Sequence, residues 1–176
     1  MREIIYDVAV SLDGYIAAPG GDVSAFPQTG EHADAYFERL DSYGTVIMGR
    51  NTYEFGYAFG LQPGSRAYPH MDHHIFSTGI ELPDGADVTV VRDDWLDRLN
   101  ELRSEDGKPI YLCGGGVFAG WVLAQGLIDR LVLKKVPITL GAGIPLFAGN
   151  PIATTWRTQS MTPYPNGVTL LDLTRA

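Results

Sequence analysis

The residues best suited to bind an anion are three consecutive glycines, Gly114, Gly115 and Gly116, which separate two patterns. The apolar run before them indicates a short buried strand, and Val117 and Phe118 after them begin a helical pattern. Because glycine has no Cβ, backbone N–H groups can approach a phosphate closely at a helix N-terminus, where the helix dipole also favours negative charge. The pattern predicts a dinucleotide pyrophosphate site, or alternatively a strand–helix junction whose glycines only allow close packing.

The same stretch satisfies the dinucleotide fingerprint G-x-G-x-x-A over residues 114–119. In a Rossmann fold, an acid that holds the ribose follows about 20 residues later. Lys134 and Lys135 stand at that place, and the motif comes late in the chain. We therefore expect any dinucleotide site here to belong to a fold other than the Rossmann fold.

A second strand-to-helix junction follows the apolar strand pattern at residues 45–48. It runs Gly49-Arg50-Asn51-Thr52-Tyr53, and both the Arg50 guanidinium and the Thr52 hydroxyl are good phosphate partners at a helix start. Ligands of parallel α/β sheets bind at the carboxyl ends of the strands. The two glycine junctions are therefore expected to meet at one edge of the sheet.

A histidine-rich segment invites a metal site but does not have the spacing for one. His70, Asp72, His73 and His74 are close together in the sequence. The adjacent residues His73 and His74 would point to opposite faces of a strand, and no third well-spaced ligand follows. No metal is expected.

Composition is that of an ordinary globular protein and argues against several partners. The chain has 176 residues, a formal net charge of −8 and a pI near 4.8, which argues against nucleic acid or an anionic membrane as partner. The single cysteine, Cys113, excludes an internal disulfide. The N-terminus does not have the pattern of a signal peptide, and no apolar run reaches about 18 residues. We expect a single domain over residues 1–176, located in the cytoplasm.

The order of the strand and helix patterns predicts an α/β fold with a mostly parallel sheet. Strand patterns cover residues 3–11, 45–48, 73–77, 86–91, 110–113, 130–136, 155–161 and 168–174. Helix patterns cover residues 31–40, 93–103 and 116–125, and long loops are expected over 12–21 and 56–69. The last two strands flank Asn166-Gly167 and should form an antiparallel hairpin, while the helices cover both faces of the sheet.

Four motifs in this order resemble those of the dihydrofolate reductase-like fold. The resemblance is closer to the subfamily related to the C-terminal reductase domain of riboflavin-biosynthesis deaminase-reductases. The motifs are V-A-V-S-L-D-G-Y-I-A over 8–17, M-G-R-N-T-Y over 48–53, the glycines at 114–116, and the stretch from G-L-I-D at 126–129 to L-G-A-G-I-P-L-F at 140–147. The resemblance implies a three-layer α/β fold, a reductase activity with a small-molecule substrate, NADPH as cofactor, and a homodimer.

The resemblance also implies which residues contact the cofactor. The nicotinamide is expected beside Ala9, Ile16 and Ala17. The 2′-phosphate that distinguishes NADPH from NADH is expected near Arg50, Ser77, Thr78 and Arg92. The remaining cofactor contacts are Gly49, Asn51, Thr52, Gly114, Gly115, Gly116, Val117 and Phe118. A cis peptide is implied between Gly114 and Gly115.

The helix over residues 31–40 departs from the pattern of dihydrofolate reductases, which carry an acid four residues before a Phe. If that Phe is Phe37, which we expect to contact the substrate together with Tyr53, the acid's position holds Ala33 and Asp34 is one residue further on. One residue turns a helical side chain by about 100°, so Asp34 does not simply inherit the role. The threonine that supports the acid is replaced by Lys134. These differences argue against folate reduction as the native reaction.

Asp7 is the other candidate acid, because a carboxylate inside a strand pattern needs a partner or a function. It shares a strand face with Ala9, about 6.5–7 Å away. We therefore expect it to orient or protonate the substrate from the floor of the pocket. The alternative is a buried Asp7 bound to backbone donors or to an adjacent side chain. Asp34 remains the second candidate, should the helix alignment be off by one residue.

The predicted reaction is hydride transfer from NADPH to a polarised C=N or C=O bond of a pyrimidine-like or pteridine-like molecule. It resembles the reduction of 5-amino-6-(5-phosphoribosylamino)uracil, whose phosphate would be met by Lys134 or Arg66. The alternatives are dihydrofolate reductase activity and a dinucleotide-binding module that has lost catalysis.

Overall fold

The first strand of the chain lies near the middle of an eight-stranded sheet in the computed structural model, which describes all residues from Met1 to Ala176. The strands are β1 Ile4–Val10, β2 Tyr15–Ala17, β3 Thr45–Gly49, β4 Asp72–Phe76, β5 Thr89–Val91, β6 Ile110–Leu112, β7 Arg130–Lys135, β8 Ile144–Pro145, β9 Trp156–Pro163 and β10 Thr169–Arg175. The helices are α1 Glu31–Leu40, α2 Arg50–Phe55, α3 Trp95–Ser104 and α4 Gly116–Ala124.

The large sheet has the strand order β5-β4-β3-β6-β1-β7-β10-β9. All neighbours from β5 to β7 are parallel, whereas β10 runs antiparallel to both β7 and β9. The hairpin between β9 and β10 closes around Asn166 and Gly167, because Gly167 takes the positive φ of +85° that the turn requires. The predicted α/β class, the mostly parallel mixed sheet and its antiparallel C-terminal hairpin are confirmed.

Two separate apolar cores cover the two faces of this sheet. Successive side chains of a strand point to opposite faces, and Ile4 and Tyr6 of β1 belong to one core together with residues of α3 and α4. Ile5 belongs to the other core, which contains Leu40 of α1 and Tyr53 of α2. The sheet is thus the middle of three layers, as predicted.

Several boundaries differ from those predicted. The segment 12–21, predicted as a loop, contains β2, which pairs with β8 in a separate two-stranded sheet. The strand predicted over 86–91 is only three residues long, and α3 begins two residues later than predicted, after Asp94 with a positive φ of 48°. A 3-10 turn at Gly56–Phe59 extends α2 into the loop predicted over 56–69. β2 and β8 pair with each other although they are far apart in the sequence. The pattern of one short segment does not reveal such a pairing.

The α-helices are at most ten residues long, so none of them is long enough to cross a membrane.

Asp13 attaches the turn after β1 to the segment after β7. Its carboxylate accepts hydrogen bonds from the Ser11 hydroxyl at 2.6 Å and from the N–H groups of Leu140 and Gly141 at 3.1 and 2.7 Å. These bonds, with that of Ser11 contributing most, lower the pKa of Asp13 to about 2. Leu12 adds a backbone bond to Ile138 at 2.8 Å. The turn that precedes β2 is therefore fixed by an ionised carboxylate.

We expect Asp13→Asn to lower the free energy of unfolding at neutral pH. Because the pKa of Asp13 is depressed in the folded protein, its contribution is complete above its unfolded pKa of about 3.9 and is lost as pH falls towards about 2. Urea unfolding at pH values from about 7 to about 2 measures the free energy of unfolding of both proteins. The difference between the two free energies should become smaller as pH falls from about 3.9 to about 2. A difference that stays constant down to pH 2 would contradict this role. Asp84→Asn, at an exposed carboxylate outside the ion pairs, is the control.

Candidate active site

A cavity of about 850 Å³ lies at the carboxyl ends of β1, β3, β4 and β6. Both glycine junctions border it, together with residues of β1 and the first helix. Its lining is mainly apolar and aromatic, and its only lysine or arginine side chains are Arg50 and Lys134. The cavity therefore joins a region suited to phosphates with a region that contains one buried cation.

The two glycine junctions touch each other at Thr52. A Cβ on Gly115 would lie 2.6 Å from Thr52 Oγ1, and one on Gly114 would lie 3.1 Å from Thr52 Cγ2. Both glycines have positive φ, +57° at Gly114 and +75° at Gly115, so glycine is required there for its conformation and for its lack of a side chain. The predicted meeting of the junctions at one sheet edge is what the structure has. The peptide between Gly114 and Gly115 is trans, so the expected cis bond was wrong.

Gly116 begins α4 and lets the segment around β8 approach this helix closely. A Cβ on Gly116 would lie 2.2 Å from the carbonyl oxygen of Pro145, and one on Gly120 would lie 2.0 Å from that of Ala148. These glycines allow the segment around β8 to pack directly on α4. No side chain caps the helix, so its first N–H groups have no intrahelical acceptor. The close packing that one alternative predicted is therefore present, while the pyrophosphate site, the other alternative, stays a prediction.

Arg50 and Arg92 both lie beside the turn after β4. The Arg50 side chain is half exposed, pairs with Glu54 at 2.8 Å, and has Nη1 4.0 Å from the Cβ position of Gly79. Arg92 donates to the carbonyl oxygens of Thr78 at 3.4 Å and Ile80 at 2.9 Å, and does not itself line the cavity. Two guanidinium groups are therefore held next to one exposed turn.

Ser77 stabilises the turn after β4 by hydrogen bonds to its backbone. Its hydroxyl accepts hydrogen bonds from the N–H groups of Gly79 at 3.3 Å and Ile80 at 3.0 Å. Thr78 is exposed, and both residues line the cavity. Ser77 is buried, so its hydroxyl mainly stabilises the backbone of the turn.

The remaining predicted cofactor residues line the cavity as well. They are Ala9, Ile16, Ala17, Gly49, Asn51, Val117 and Phe118. Val117 is 70% exposed, whereas Phe118 is buried and stacks on Phe76 with ring centroids 4.9 Å apart. Phe118 therefore has a structural role in the core in addition to its place in the cavity wall.

Asp7 is the centre of a buried ionic cluster. Its carboxylate accepts from Arg39 Nε at 2.9 Å and Nη2 at 3.2 Å, and from the Tyr43 hydroxyl at 3.1 Å. Lys134 Nζ lies 3.3 Å from Asp7 Oδ1. The Asp7 side chain has no exposed surface. Asp7 lines the cavity as predicted, but side-chain partners surround its oxygens, which favours the alternative that it is bound to its neighbours over a direct role in proton transfer.

Lys134 extends from β7 into the same cavity and is buried. Its ammonium lies 3.4 Å from the centroid of the Tyr36 ring, a cation–π contact, in addition to its ion pair with Asp7. Burial lowers the pKa of Lys134, Asp7 opposes that shift, and the Arg39 charge adds to it. Lys134 thus carries a proton that is easier to remove than that of an exposed lysine.

Tyr36, Tyr68 and Tyr111 surround the end of the cavity that contains Lys134, the tyrosine-lined end. The Tyr36 and Tyr111 hydroxyls are 2.8 Å apart, and the Tyr68 hydroxyl lies 3.6 Å from Cys113 Sγ. Burial raises the pKa of the Tyr36 hydroxyl and of the Cys113 thiol, so both are protonated at neutral pH. The arrangement offers several neutral donors and one cation to a polar ring.

Besides Arg92, two predicted site residues lie outside the cavity. Asp34 is exposed, and Phe37 is 62% exposed. Helix α1 instead turns Ala33 into the core and Tyr36 towards the cavity, because residues three apart share a helical face. The placement of Phe37 at the substrate and of Asp34 as an acid is therefore corrected. Tyr53 does line the cavity.

Arg66, His73 and His74 lie at the opposite end of the strands. Arg66 pairs with Asp72 at 3.2 Å and with Asp87 at 3.0 Å beside a separate cavity of about 370 Å³, so it cannot meet a substrate in the larger one. The ring of His73 bonds to backbone groups on both sides, including the Ala67 N–H at 3.0 Å. His73 therefore orders the loop before β4.

Lys134 was not among the predicted catalytic residues. Opposite charges occur within two strand patterns, Asp7 in the first and Lys134 in the one over 130–136. Buried charges occur almost only in pairs, so this complementarity was the available signal. It was missed because the adjacency of β1 and β7 does not follow from either strand alone.

Comparison with known proteins identifies the family. The sequence profile of the RibD C-terminal domain matches residues 2–170. The chain belongs to the RibD C-terminal domain family. Uncharacterized protein YwjB of Bacillus subtilis (strain 168) is a relative, 30% identical over 149 residues that make up 83% of each chain.

Solved structures share this fold. A Shewanella sp. PV-4 protein with a provisional assignment to riboflavin biosynthesis has a TM-score of 0.83 and 25% identity, with 100% of this chain and 99% of that chain covered. The Thermotoga maritima diaminohydroxyphosphoribosylaminopyrimidine deaminase/5-amino-6-(5-phosphoribosylamino)uracil reductase has a TM-score of 0.75 and 15% identity, over 99% of this chain and 57% of that one. Enterococcus faecalis dihydrofolate reductase, complexed with NADP(H), has a TM-score of 0.69 and 15% identity, over 98% and 96%.

We expect the contact between the two glycine junctions to appear as an energetic coupling. Gly115→Ala places a Cβ 2.6 Å from Thr52 Oγ1 on a backbone with φ of +75°. Backbone strain of this kind costs about 1–3 kcal/mol, and the clash adds to it. In the double variant, Thr52→Ala removes Oγ1 and so relieves the clash, but the backbone strain at position 115 remains.

Urea unfolding of the two single variants and the double variant measures this coupling. The double variant should be less destabilised than the sum of the two single variants, because distant sites add whereas touching sites do not. Strictly additive losses would mean that the junctions do not touch in solution.

Proposed function

We propose that this protein is an NADPH-dependent reductase of a small pyrimidine-like or pteridine-like molecule. The observation that carries the proposal is one continuous cavity that joins the two glycine junctions to the buried Asp7–Lys134 pair. Membership of the RibD C-terminal domain family supports it. So does the common fold with a uracil-derivative reductase and with a dihydrofolate reductase that binds NADP(H).

The glycine junctions fit the phosphate groups of a dinucleotide. The missing side chains let Thr52 pack against the start of α4, and Thr52 and all three glycines border the cavity there. In our proposal the pyrophosphate binds to the first N–H groups of α4. Arg50 and Arg92, which lie beside the turn at Ser77 and Thr78, take the adenosine 2′-phosphate. In an acidic protein these two guanidinium groups supply the local positive charge that NADPH requires.

The strand that carries Ala9 provides a flat surface for the nicotinamide. Ala9 and Ala17 have small side chains and line the cavity, and Ile16 closes it from β2. NADPH supplies the hydride when bound, and the protein contributes orientation and the exclusion of water. Because Lys134 is the strand partner of Ala9, the substrate ring would be held beside a cation.

The substrate end favours a planar ring with several hydrogen-bonding groups. Hydroxyls of Tyr36, Tyr68 and Tyr111 lie around it, and aromatic faces form its walls. Dihydrofolate itself is disfavoured, because no carboxylate of α1 lines the cavity: Tyr36 is the only residue of this helix that does. A non-catalytic dinucleotide-binding module is disfavoured because a buried, paired lysine beside the nicotinamide position has no role in cofactor binding.

Loss of NADPH absorbance at 340 nm tests the reaction directly. We expect the protein to oxidise NADPH with 5-amino-6-(5-phosphoribosylamino)uracil as acceptor and to do so poorly with 7,8-dihydrofolate. NADPH binding without oxidation by either compound would favour the non-catalytic module. Faster oxidation with dihydrofolate would reverse the proposed substrate preference.

Replacing both arginines should change cofactor choice. We expect Arg50→Ala/Arg92→Ala to weaken NADPH binding by about 2–4 kcal/mol, the loss of two charge-assisted contacts, with little change for NADH. Fluorescence titration with both cofactors measures this difference. Arg157→Ala, at an exposed arginine of β9 on the far edge of the sheet, controls for net charge. Equal weakening of both cofactors would remove the 2′-phosphate assignment.

A further inference from the structure

Lys134 is the only cation at the tyrosine-lined end of the cavity. It is the register partner of Ala9 on the neighbouring parallel strand, so the two Cα atoms lie about 5 Å apart. Its ammonium is held from two sides, by Asp7 Oδ1 at 3.3 Å and by the Tyr36 ring at 3.4 Å. A buried lysine is thus fixed next to the position that the nicotinamide takes in the proposed function.

We propose that Lys134 donates the proton that completes hydride transfer and that Asp7 is the residue that positions it. The proposal rests on the proposed function and adds the acid that the reaction needs. It differs from the expectation that a carboxylate supplies this proton. Asp7 accepts from Arg39, Tyr43 and Lys134, so its oxygens are already occupied by donors.

The charges of the cluster favour this assignment. One carboxylate, Asp7, faces two cations, Arg39 and Lys134, so a single positive charge is in excess. Of the two cations only Lys134 lines the cavity. The Lys134 ammonium would therefore stabilise the negative charge that develops on the substrate during hydride addition.

The groups around Lys134 affect its acidity in opposite directions. They are Asp7 on β1, Tyr36 and Arg39 on α1, Tyr111 on β6 and Cys113 after it. Burial lowers the pKa of Lys134 most strongly, and Asp7 raises it. Burial raises the pKa of Tyr36, Tyr111 and Cys113, so it makes each of these groups a weaker acid than usual, whereas it makes Lys134 a stronger one.

The step balances as follows for a C=N substrate. The carbon gains the hydride with its two electrons, the π electrons move to the nitrogen, and a new N–H bond forms with a proton from Lys134 Nζ. The substrate is reduced by two electrons, and NADPH is oxidised to NADP⁺. Lys134 is left as a neutral amine and regains a proton from water after the product leaves.

Single-turnover oxidation of bound NADPH tests the proposal, with 5-amino-6-(5-phosphoribosylamino)uracil and 7,8-dihydrofolate as the acceptors. Lys134→Met should lower the rate about 100-fold or more, the usual contribution of a general acid, and should leave NADPH affinity unchanged. Lys134→Arg keeps the positive charge but does not release a proton, so it should stay more than about tenfold below the native rate. Lys135→Met, at the next residue of β7, is the matched control and should behave like the native protein.

The pH dependence separates proton donation from a structural role. The native rate should fall as pH rises through the pKa of Lys134, because the donor must be protonated. Asp7→Asn removes the group that raises this pKa, so the fall should begin at lower pH. A merely structural Asp7 would change the rate without moving the pH limb.

The outcomes distinguish this inference from the proposed function. If the native protein oxidises NADPH with neither acceptor, both are overturned. If it is active and Lys134→Met is equally fast, or if Lys134→Arg restores the native rate, proton donation by Lys134 is overturned and the reductase assignment stands. An unmoved pH limb in Asp7→Asn overturns the positioning role of Asp7.

Discussion

The carboxylate of Asp7 has no exposed surface and is surrounded by donors from three other parts of the chain. A buried charge is tolerated only when it is paired and hydrogen-bonded, and removal of one partner typically costs about 3–5 kcal/mol. Arg39 therefore has to reach inwards from α1, and Lys134 from β7. This requirement fixes the rotation of α1 against the sheet, which brings Tyr36 to the cavity and leaves Phe37 in solvent. The shape of the substrate end thus follows from the neutralisation of one charge.

The opposite end of the cavity depends on backbone packing instead of charge. The glycines at 114–116 allow Thr52 and the segment around β8 to approach within distances that any Cβ would prevent. The N-terminus of α4 has no side-chain cap and borders the cavity, whose lining also includes Arg50. An overall charge of −8 is compatible with a phosphate site because the positive groups are local and partly supplied by the backbone. The two ends are joined by β1, which carries Asp7 and Ala9 two residues apart.

The sequence was sufficient where the signal was local. Glycines directly after apolar strands predicted both junctions, and alternating strand and helix patterns predicted the parallel sheet with its terminal hairpin. The site residues that depend on the phase of α1 were predicted less well, because a rotation of about 100° per residue decides between Asp34, Tyr36 and Phe37. The Asp7–Lys134 pair required knowledge that β1 and β7 are neighbours, which is a property of the sheet and not of either strand. The short pairing of β2 with β8 was missed for the same reason.

In the proposed complex, one cavity holds a dinucleotide with its reactive ring beside Ala9 and Lys134. A crystal structure of the protein with NADP⁺ would show where both ends of the dinucleotide bind. We expect pyrophosphate oxygens within hydrogen-bonding distance of the N–H groups at the start of α4, and the nicotinamide against Ala9 with its reactive carbon facing the tyrosine-lined end. A dinucleotide bound outside this cavity, or a nicotinamide pointing away from β1, would contradict the proposal.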